Sequence, residues 1–223
     1  MPDLREIETA IAELARYCTG AGFPLSPQAQ ARLRSYTALL LTWNQRISLT
    51  GARDASEIAL HHIFDSLHIL PLLKAGQAVA DVGSGAGFPG VPLAIAQPNC
   101  SFVLIEPRRK RANFLRHCAR ELDLPQVIIE EARVEELYKK WDRSFDVIVS
   151  RAFAELATFV RLSLPLLKES GTLVAMKGPR PESELASIPA EVTVAAIHRY
   201  RLPQKWGERT LVVLARRAHS CFT

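Results

Sequence analysis

The stretch "VADVGSGAGFPGVP", Val79 to Pro92, sets four glycines within eight residues, directly after an apolar run that ends at Asp81 and Val82. A glycine-rich turn between a strand and a helix lets backbone approach a ligand that side chains would hold away. The loop has two spellings. Gly83, Gly85 and Gly87 fit G-x-G-x-G, used by many S-adenosylmethionine (SAM) sites, whereas Gly85, Gly87 and Gly90 fit the dinucleotide fingerprint G-x-G-x-x-G.

Downstream of this loop, short apolar runs alternate with helical segments. "AVADVG" at 78, "SFVLIE" at 101, "QVIIE" at 126, "FDVIVS" at 145 and "GTLVAMKG" at 171 form the first five. That alternation predicts a parallel α/β sheet. Two further runs, "EVTVAAI" at 191 and "RTLVVLAR" at 209, have little helix between them and predict a hairpin-like pair, giving seven strands. Upstream, from about Leu4 to Leu73, apolar residues recur at three and four, as in Leu33, Tyr36, Leu40, Trp43 and Ile47, and predict amphipathic helices. The linkers "TGAGFPLS" and "SLTGARDAS" end in the N-cap candidates Ser26 and Ser56. The composition shifts near residue 75, so the expected organisation is a helical region, 1–75, packed on a catalytic domain, 76–223.

With 223 residues, 48% hydrophobic and 23% charged, the chain can bury a full core, which excludes a disordered protein. Its formal net charge of +5 permits a polyanionic partner. Cys18, Cys100, Cys118 and Cys221 show no C-x-x-C spacing and no clustering with histidines, so no metal site is expected. The beginning, "MPDLREIETA", carries acids where a signal peptide carries positive charge, and no run approaches the ~18 apolar residues of a membrane helix. A cytoplasmic protein without a membrane partner is expected.

Glu106 ends the second predicted strand 19 residues after Gly87, where a carboxylate can accept hydrogen bonds from the ribose hydroxyls of either cofactor. Asp81 separates the two. It lies two residues before Gly83, where the dinucleotide fingerprint usually has an apolar side chain. A carboxylate there can hold the loop or the amino group of a methionine moiety, and it would repel pyrophosphate. SAM is therefore favoured over NAD.

Joined to "LIEPRRKRANFLRH", "ARVEEL", "FDVIVSRAF" and the upstream "HHIFDSL", the glycine loop resembles the RsmG (GidB) family of 16S ribosomal RNA guanine-N7 methyltransferases, over residues from about 30 to 215. The G-F-P-G continuation and the S-R-A-F run are the specific parts. The resemblance implies a class I SAM-dependent methyltransferase fold, Rossmann-like, with a seven-stranded mostly parallel sheet and a helical N-terminal extension. It implies SAM as cofactor, with Asp81, Gly83, Gly85, Phe88, Glu106, Pro107, Arg108, Val134, Glu135 and Arg151 about it. It also implies 16S rRNA or the small ribosomal subunit as partner, near the decoding site, for a monomeric enzyme. The chain departs from the family pattern at Ser48 in "WNQRISLT", at Pro107 and at Thr210.

Guanine N7 carries an in-plane lone pair and no proton, so its methylation needs positioning and exclusion of water, not a general base. No cysteine for ring addition and no N/D-P-P-Y/F follows the fourth predicted strand; the residues there are Ser150, Arg151, Ala152 and Phe153. Arg151 is the positioning candidate, facing guanine O6, a methionine carboxylate or phosphate, against an ordinary salt bridge. Phe153 is a stacking or a core residue, and Lys177 meets phosphate or caps a carbonyl. "RRKRANFLRHCAR", Arg108 to Arg120, has six Lys and Arg and no acid, and His198 to Arg217 has six more against Glu208 alone. These are candidate RNA surfaces or solvated faces, with Arg108, Arg109, Lys110, Arg111 and Lys177 the named contacts. His61, His62 and Asp65 lack a third metal anchor; a hydrogen-bonded His62 and Asp65 tying the helices to the sheet is the expectation. Three rivals stay open at this point: a small-molecule methyltransferase, an NAD-dependent oxidoreductase and a noncatalytic RNA-binding module.

Overall fold

The computed structural model describes residues 2–151 and 155–217. Seven strands, β1 (Ala78–Val82), β2 (Ser101–Ile105), β3 (Val127–Glu130), β4 (Phe145–Arg151), β5 (Leu167–Lys177), β6 (Val192–Arg201) and β7 (Glu208–Arg216), form one sheet in the order β3-β2-β1-β4-β5-β7-β6. The first five run parallel, while β7 lies antiparallel to both β5 and β6. The expected strands and closing pair are thus present. β5 begins at Leu167, four residues before the sequence pattern indicated, because Leu167 pairs with Phe145 across a register shift.

Both faces of the sheet are covered, which explains why its strands read as continuous apolar runs. Val79, Phe102, Leu104 and Val149 point into one core; Ala80, Val103, Ile105 and Ile148 point into another on the opposite face. The first core extends without a break into the N-terminal helices α1 (Leu4–Gly20) and α2 (Pro27–Asn44) through Ile11, Leu14, Leu33 and Leu40. Ser26 caps α2 by accepting the Ala29 N–H at 3.1 Å, as its place before Pro27 predicts. Ser56 makes no such bond. Asp54 takes that role, accepting the Glu57 N–H at 2.7 Å. The helix it starts is a π-helix (Glu57–Ile63) that runs into the short α3 (Phe64–Leu67). A wide turn of this kind alters which side chains share a face, and it sets His61 and His62 against the strand ends.

The strand order reverses between β1, which leads outward to β2 and β3, and β4, which leads the other way. In open α/β sheets the crevice beyond the carboxyl ends at such a reversal is where ligands bind. Val82, Ile105 and Arg151 end their strands at this crevice.

Candidate functional site

The glycine loop follows β1 and passes into α4 (Gly90–Ala96). Two buried carboxylates hold it. Asp81, 0% exposed, accepts the Gly90 N–H at 2.9 Å through Oδ2, and Glu106, 3% exposed, accepts the Gly85 N–H at 2.9 Å through Oε2. The second oxygen of Glu106 accepts the Arg108 N–H at 2.8 Å. Each of these oxygens retains a lone pair for a further donor. Gly85 has φ +57°, a backbone conformation that favours glycine, and a Cβ there would meet Arg111 Nη1 and Gly83 O at an ordinary contact distance of 3.8 Å. Gly90 serves close approach instead: a Cβ there would overlap Leu104 Cδ2 and lie 2.7 Å from Asp81 Oδ2.

Asp81 Oδ1 is buried and has no hydrogen-bond partner among the described residues. Burial raises the Asp81 pKa from 3.8 to about 7, against the opposing pull of the Gly90 hydrogen bond. A cationic donor reaching Oδ1 would satisfy it.

From the other side, the fully buried Tyr36 of α2 donates its hydroxyl to Ala86 O at 2.7 Å and sets its ring edge-on to Phe88, 5.6 Å away. The helical N-terminal region therefore braces the loop. Tyr36→Phe strands a buried carbonyl and should cost about 1 to 3 kcal/mol of stability, read as a lower denaturant midpoint, together with weaker cofactor binding by isothermal titration. Unchanged values for both would show the brace to be inert.

Two cavities flank the crossover. One, about 430 Å³, lies at the ends of β1 and β2 between Gly83, Ile105, Pro107, Arg108, Arg133, Val134, Glu135 and Leu162. Ile105, Pro107, Val134 and Leu162 beside the charged Arg108, Arg133 and Glu135 give it the mixed lining that suits a nucleoside. The structure thus brings Gly83, Pro107, Arg108, Val134 and Glu135 to one wall, with Gly85 and Glu106 tied to it by hydrogen bonds. Phe88 is not on that wall: it is 3% exposed, and its ring lies under Arg151 with the guanidinium carbon 4.7 Å from its centroid.

The other cavity, about 450 Å³, lies at the ends of β4, β5 and β7 and is lined by His61, His62, Asp65, Arg151, Met176, Lys177, Gly178 and Arg209. Arg151 lines this second space. Its guanidinium donates to His62 Nδ1 at 3.1 Å and lies 3.6 Å from Asp65 Oδ2, whose Oδ1 accepts the Tyr200 hydroxyl at 2.7 Å. The expected link between helices and sheet is made through Arg151, with each partner bonded to the arginine. Burial and the adjacent arginine push the His62 pKa down to about 3, so its Nε2–H faces Thr50 Oγ1 at 3.3 Å as a neutral ring.

Arg46 and Ser48, just beyond α2, meet Arg108, Arg109, Lys110 and Arg111 at the start of α5 (Arg109–Glu121) about a groove of some 440 Å³. None of these five cations meets a carboxylate side chain among the described residues. The remainder of that run differs, since Arg116 pairs with Glu131 at 2.7 Å and Arg120 with Glu121 at 3.2 Å. Phe114, Leu115 and Cys118 face the core. The second basic run is divided: Arg199 pairs with Glu182, Arg209 turns toward His61, and Arg216 donates to Leu164 O and Leu167 O. Lys177 pairs with Glu184 at 2.7 Å. Phe153 and Cys221 lie outside the described residues.

Sequence reasoning passed over Tyr36, Arg46, Arg133, Leu162 and Arg209. Tyr36 and Leu162 look like ordinary core positions in a helical pattern, and the arginines look like surface charge.

The family model GidB, described as rRNA small subunit methyltransferase G, matches residues 29–212. A Ribosomal RNA small subunit methyltransferase G from Aromatoleum aromaticum is 41% identical over 214 residues, covering 94% of this chain and 97% of that one. A protein of the same name from Azoarcus sp. is 42% identical over 203 residues, covering 91% and 95%. Among solved structures, M. jannaschii TYW2 in complex with AdoMet shares the fold at a TM-score of 0.57 with 15% identity, over 70% of this chain and 76% of that one.

Proposed function

The chain belongs to the GidB family, rRNA small subunit methyltransferase G, and from this we propose that it transfers the methyl group of SAM to N7 of a guanine in 16S rRNA, near the decoding site. The observation that carries the reading is the pair of buried carboxylates, Asp81 and Glu106, gripping one glycine loop between two cavities. A dinucleotide would bring pyrophosphate to a buried acid. Asp81 would answer the ammonium of SAM and Glu106 its ribose hydroxyls, with Gly83, Pro107, Val134 and Glu135 about the nucleoside. When bound, SAM supplies an electrophilic methyl on a sulfonium.

The protein's task is then positional. The loop would hold one reactant, and the β4-β5-β7 cavity, whose wall includes Arg151 stacked on the loop residue Phe88, would take the other. Since N7 has no proton to lose, no general base is required, and Arg151 orders the pocket through His62 and Asp65. Well-oriented reactants gain ~7 to 11 kcal/mol in favourable cases.

The finer assignments belong to the same proposal. Residues 1–75 brace the loop and residues 76–223 carry the catalytic domain. Arg108 to Arg111 meet RNA phosphate, and Lys177 orders the mouth of the second cavity through Glu184. The enzyme works as a monomer in the cytoplasm. No helix among the described residues is long and apolar enough to cross a membrane.

The test is methyl transfer from labelled SAM to naked small-subunit RNA and to 30S particles, followed by mapping of the labelled base. Label at a guanine N7 is expected. Label at a guanine amino group, at a cytosine ring, or only on a small molecule would replace this reading.

A further inference from the structure

Asn44 ends α2, and its side-chain amide is the hub of the loop that follows. Oδ1 accepts the backbone N–H groups of Leu49 and Thr50 at 2.9 and 3.0 Å, and Nδ2 donates to Thr50 O at 3.0 Å and to Ala52 O at 3.4 Å. Two N–H groups on one side and two carbonyls on the other call for an amide, since a carboxylate cannot donate and a hydroxyl offers a single donor. Leu49 and Ala52 are buried, whereas Arg46, Ser48 and Gly51 are exposed. The course of residues 45–52 is therefore set by one polar side chain and two apolar anchors.

The two halves of this loop serve different spaces. Arg46, Ile47 and Ser48 line the basic groove with Arg108 to Arg111. Farther along, Thr50 Oγ1 accepts the Ala52 N–H at 3.2 Å and lies 3.3 Å from His62 Nε2. The Arg151 guanidinium can only donate and it occupies His62 Nδ1, so the ring proton sits on Nε2 and is donated to Thr50. His62 and Arg151 line the β4-β5-β7 cavity, and the His62 ring lies 5.1 Å from that of Phe88 in the glycine loop. One short segment thus borders the groove with its first half and steadies the cavity wall with its second.

We propose that Asn44 is a positioning residue for methyl transfer to RNA: by folding residues 45–52 about its amide it sets Arg46 and Ser48 against the RNA backbone and, through Thr50 and His62, holds Arg151 at the acceptor cavity. This role rests on the guanine-N7 reading above. Asn44 lines neither the nucleoside cavity nor the acceptor cavity, so it acts through its loop. Its loss releases both halves, whereas loss of the Thr50 hydroxyl releases only the second.

The experiment compares wild type, Asn44→Ala, Thr50→Val and the double variant on whichever substrate wild type methylates, small-subunit RNA or 30S particles. Two quantities are read: the salt dependence of binding, and the single-turnover rate at saturating substrate and SAM. Asn44→Ala should make the log-log salt slope shallower by about 1, the share of one phosphate contact. It should also lower the saturated rate about tenfold, as a small misplacement of reactants does. Thr50→Val keeps the side-chain shape without the hydroxyl; it should lower the rate to a similar extent and leave the slope at the wild-type value. In the double variant the rate should fall no further than in either single one, because both changes act through His62. SAM affinity by isothermal titration should hold throughout.

A wild-type slope or a wild-type rate in Asn44→Ala would overturn the proposal. So would multiplied losses of rate in the double variant or a parallel fall in SAM affinity, since each marks a general loosening of the fold. If Asn44→Ala does not fold, Asn44→Asp takes its place with the same expectation for the rate, because it keeps the two accepted bonds and loses the two donated ones. If wild type labels no base in RNA, the functional reading fails and this role with it; a labelled guanine with an inert Asn44 overturns this role alone.

Discussion

Asp81→Asn should weaken SAM binding by one to two orders of magnitude and remove most of its dependence on pH. The lost element is a charge-assisted hydrogen bond to the cofactor ammonium, worth about 1.5 to 3 kcal/mol, whereas the amide oxygen can still accept the Gly90 N–H that Asp81 Oδ2 accepts now at 2.9 Å. The loop should survive while its charge does not. In the wild type, burial raises the Asp81 pKa from 3.8 to about 7. An ammonium ligand requires the ionised form, so binding must expel a proton below pH 7. Affinity should rise about tenfold per unit as pH climbs toward 7 and level off above it. Stability without cofactor runs in the opposite sense. The folded chain holds at Asp81 a proton that the unfolded chain has released, so this group's stabilising contribution is present below about pH 4 and is lost as pH rises through 7. Titration calorimetry at pH 6 and pH 8 separates the cases; equal weakening of wild type and variant toward acid would mean that another group titrates.

That prediction needed the structure, although the residue did not. Asp81 stands out in the sequence as an acid where an apolar residue is usual, and "DVGSGAGFPG" places it beside the loop. The alternation of apolar runs gives the strands, because a parallel sheet buried on both faces leaves little room for polar residues. What the pattern leaves open is the division of labour within one carboxylate: Oδ2 holds the loop and Oδ1 has no partner. Contacts distant in sequence are less legible still. Tyr36 reads as one more apolar position in α2, yet its hydroxyl holds Ala86 O across 50 residues. His61 and Arg209 lie 148 residues apart, yet the guanidinium meets the ring at 3.1 Å. Local periodicity reports burial, and it is silent about which buried atom lacks a partner.

The basic groove shows the same limit from the surface side, and it carries the other large expected effect. By sequence, Arg108 to Arg120 and His198 to Arg217 look like equivalent runs of charge. In the fold the second is divided among Glu182, His61 and backbone carbonyls, while the first keeps its N-terminal part clear of acids and gains Arg46 from beyond α2. Cations already paired release few counterions on meeting RNA, whereas unpaired ones contribute fully to the salt dependence of binding. Arg108 lines the nucleoside cavity and Arg111 reaches within 3.8 Å of the position a Gly85 Cβ would take, so changing either would mix cofactor with RNA effects. The clean variant is Arg46→Gln, Arg109→Gln and Lys110→Gln together. Binding to small-subunit RNA, followed from about 50 to 200 mM salt, should show a log-log slope shallower by about 2 to 3 and an affinity at low salt reduced on the order of a hundredfold or more. SAM affinity should not change. The same three substitutions made at Arg199, Arg201 and Lys205 should shift the slope less, because Arg199 is already committed to Glu182 at 2.9 Å. If the second triple flattens the slope as much as the first, RNA lies across the β6-β7 edge rather than along the groove between α2 and α5.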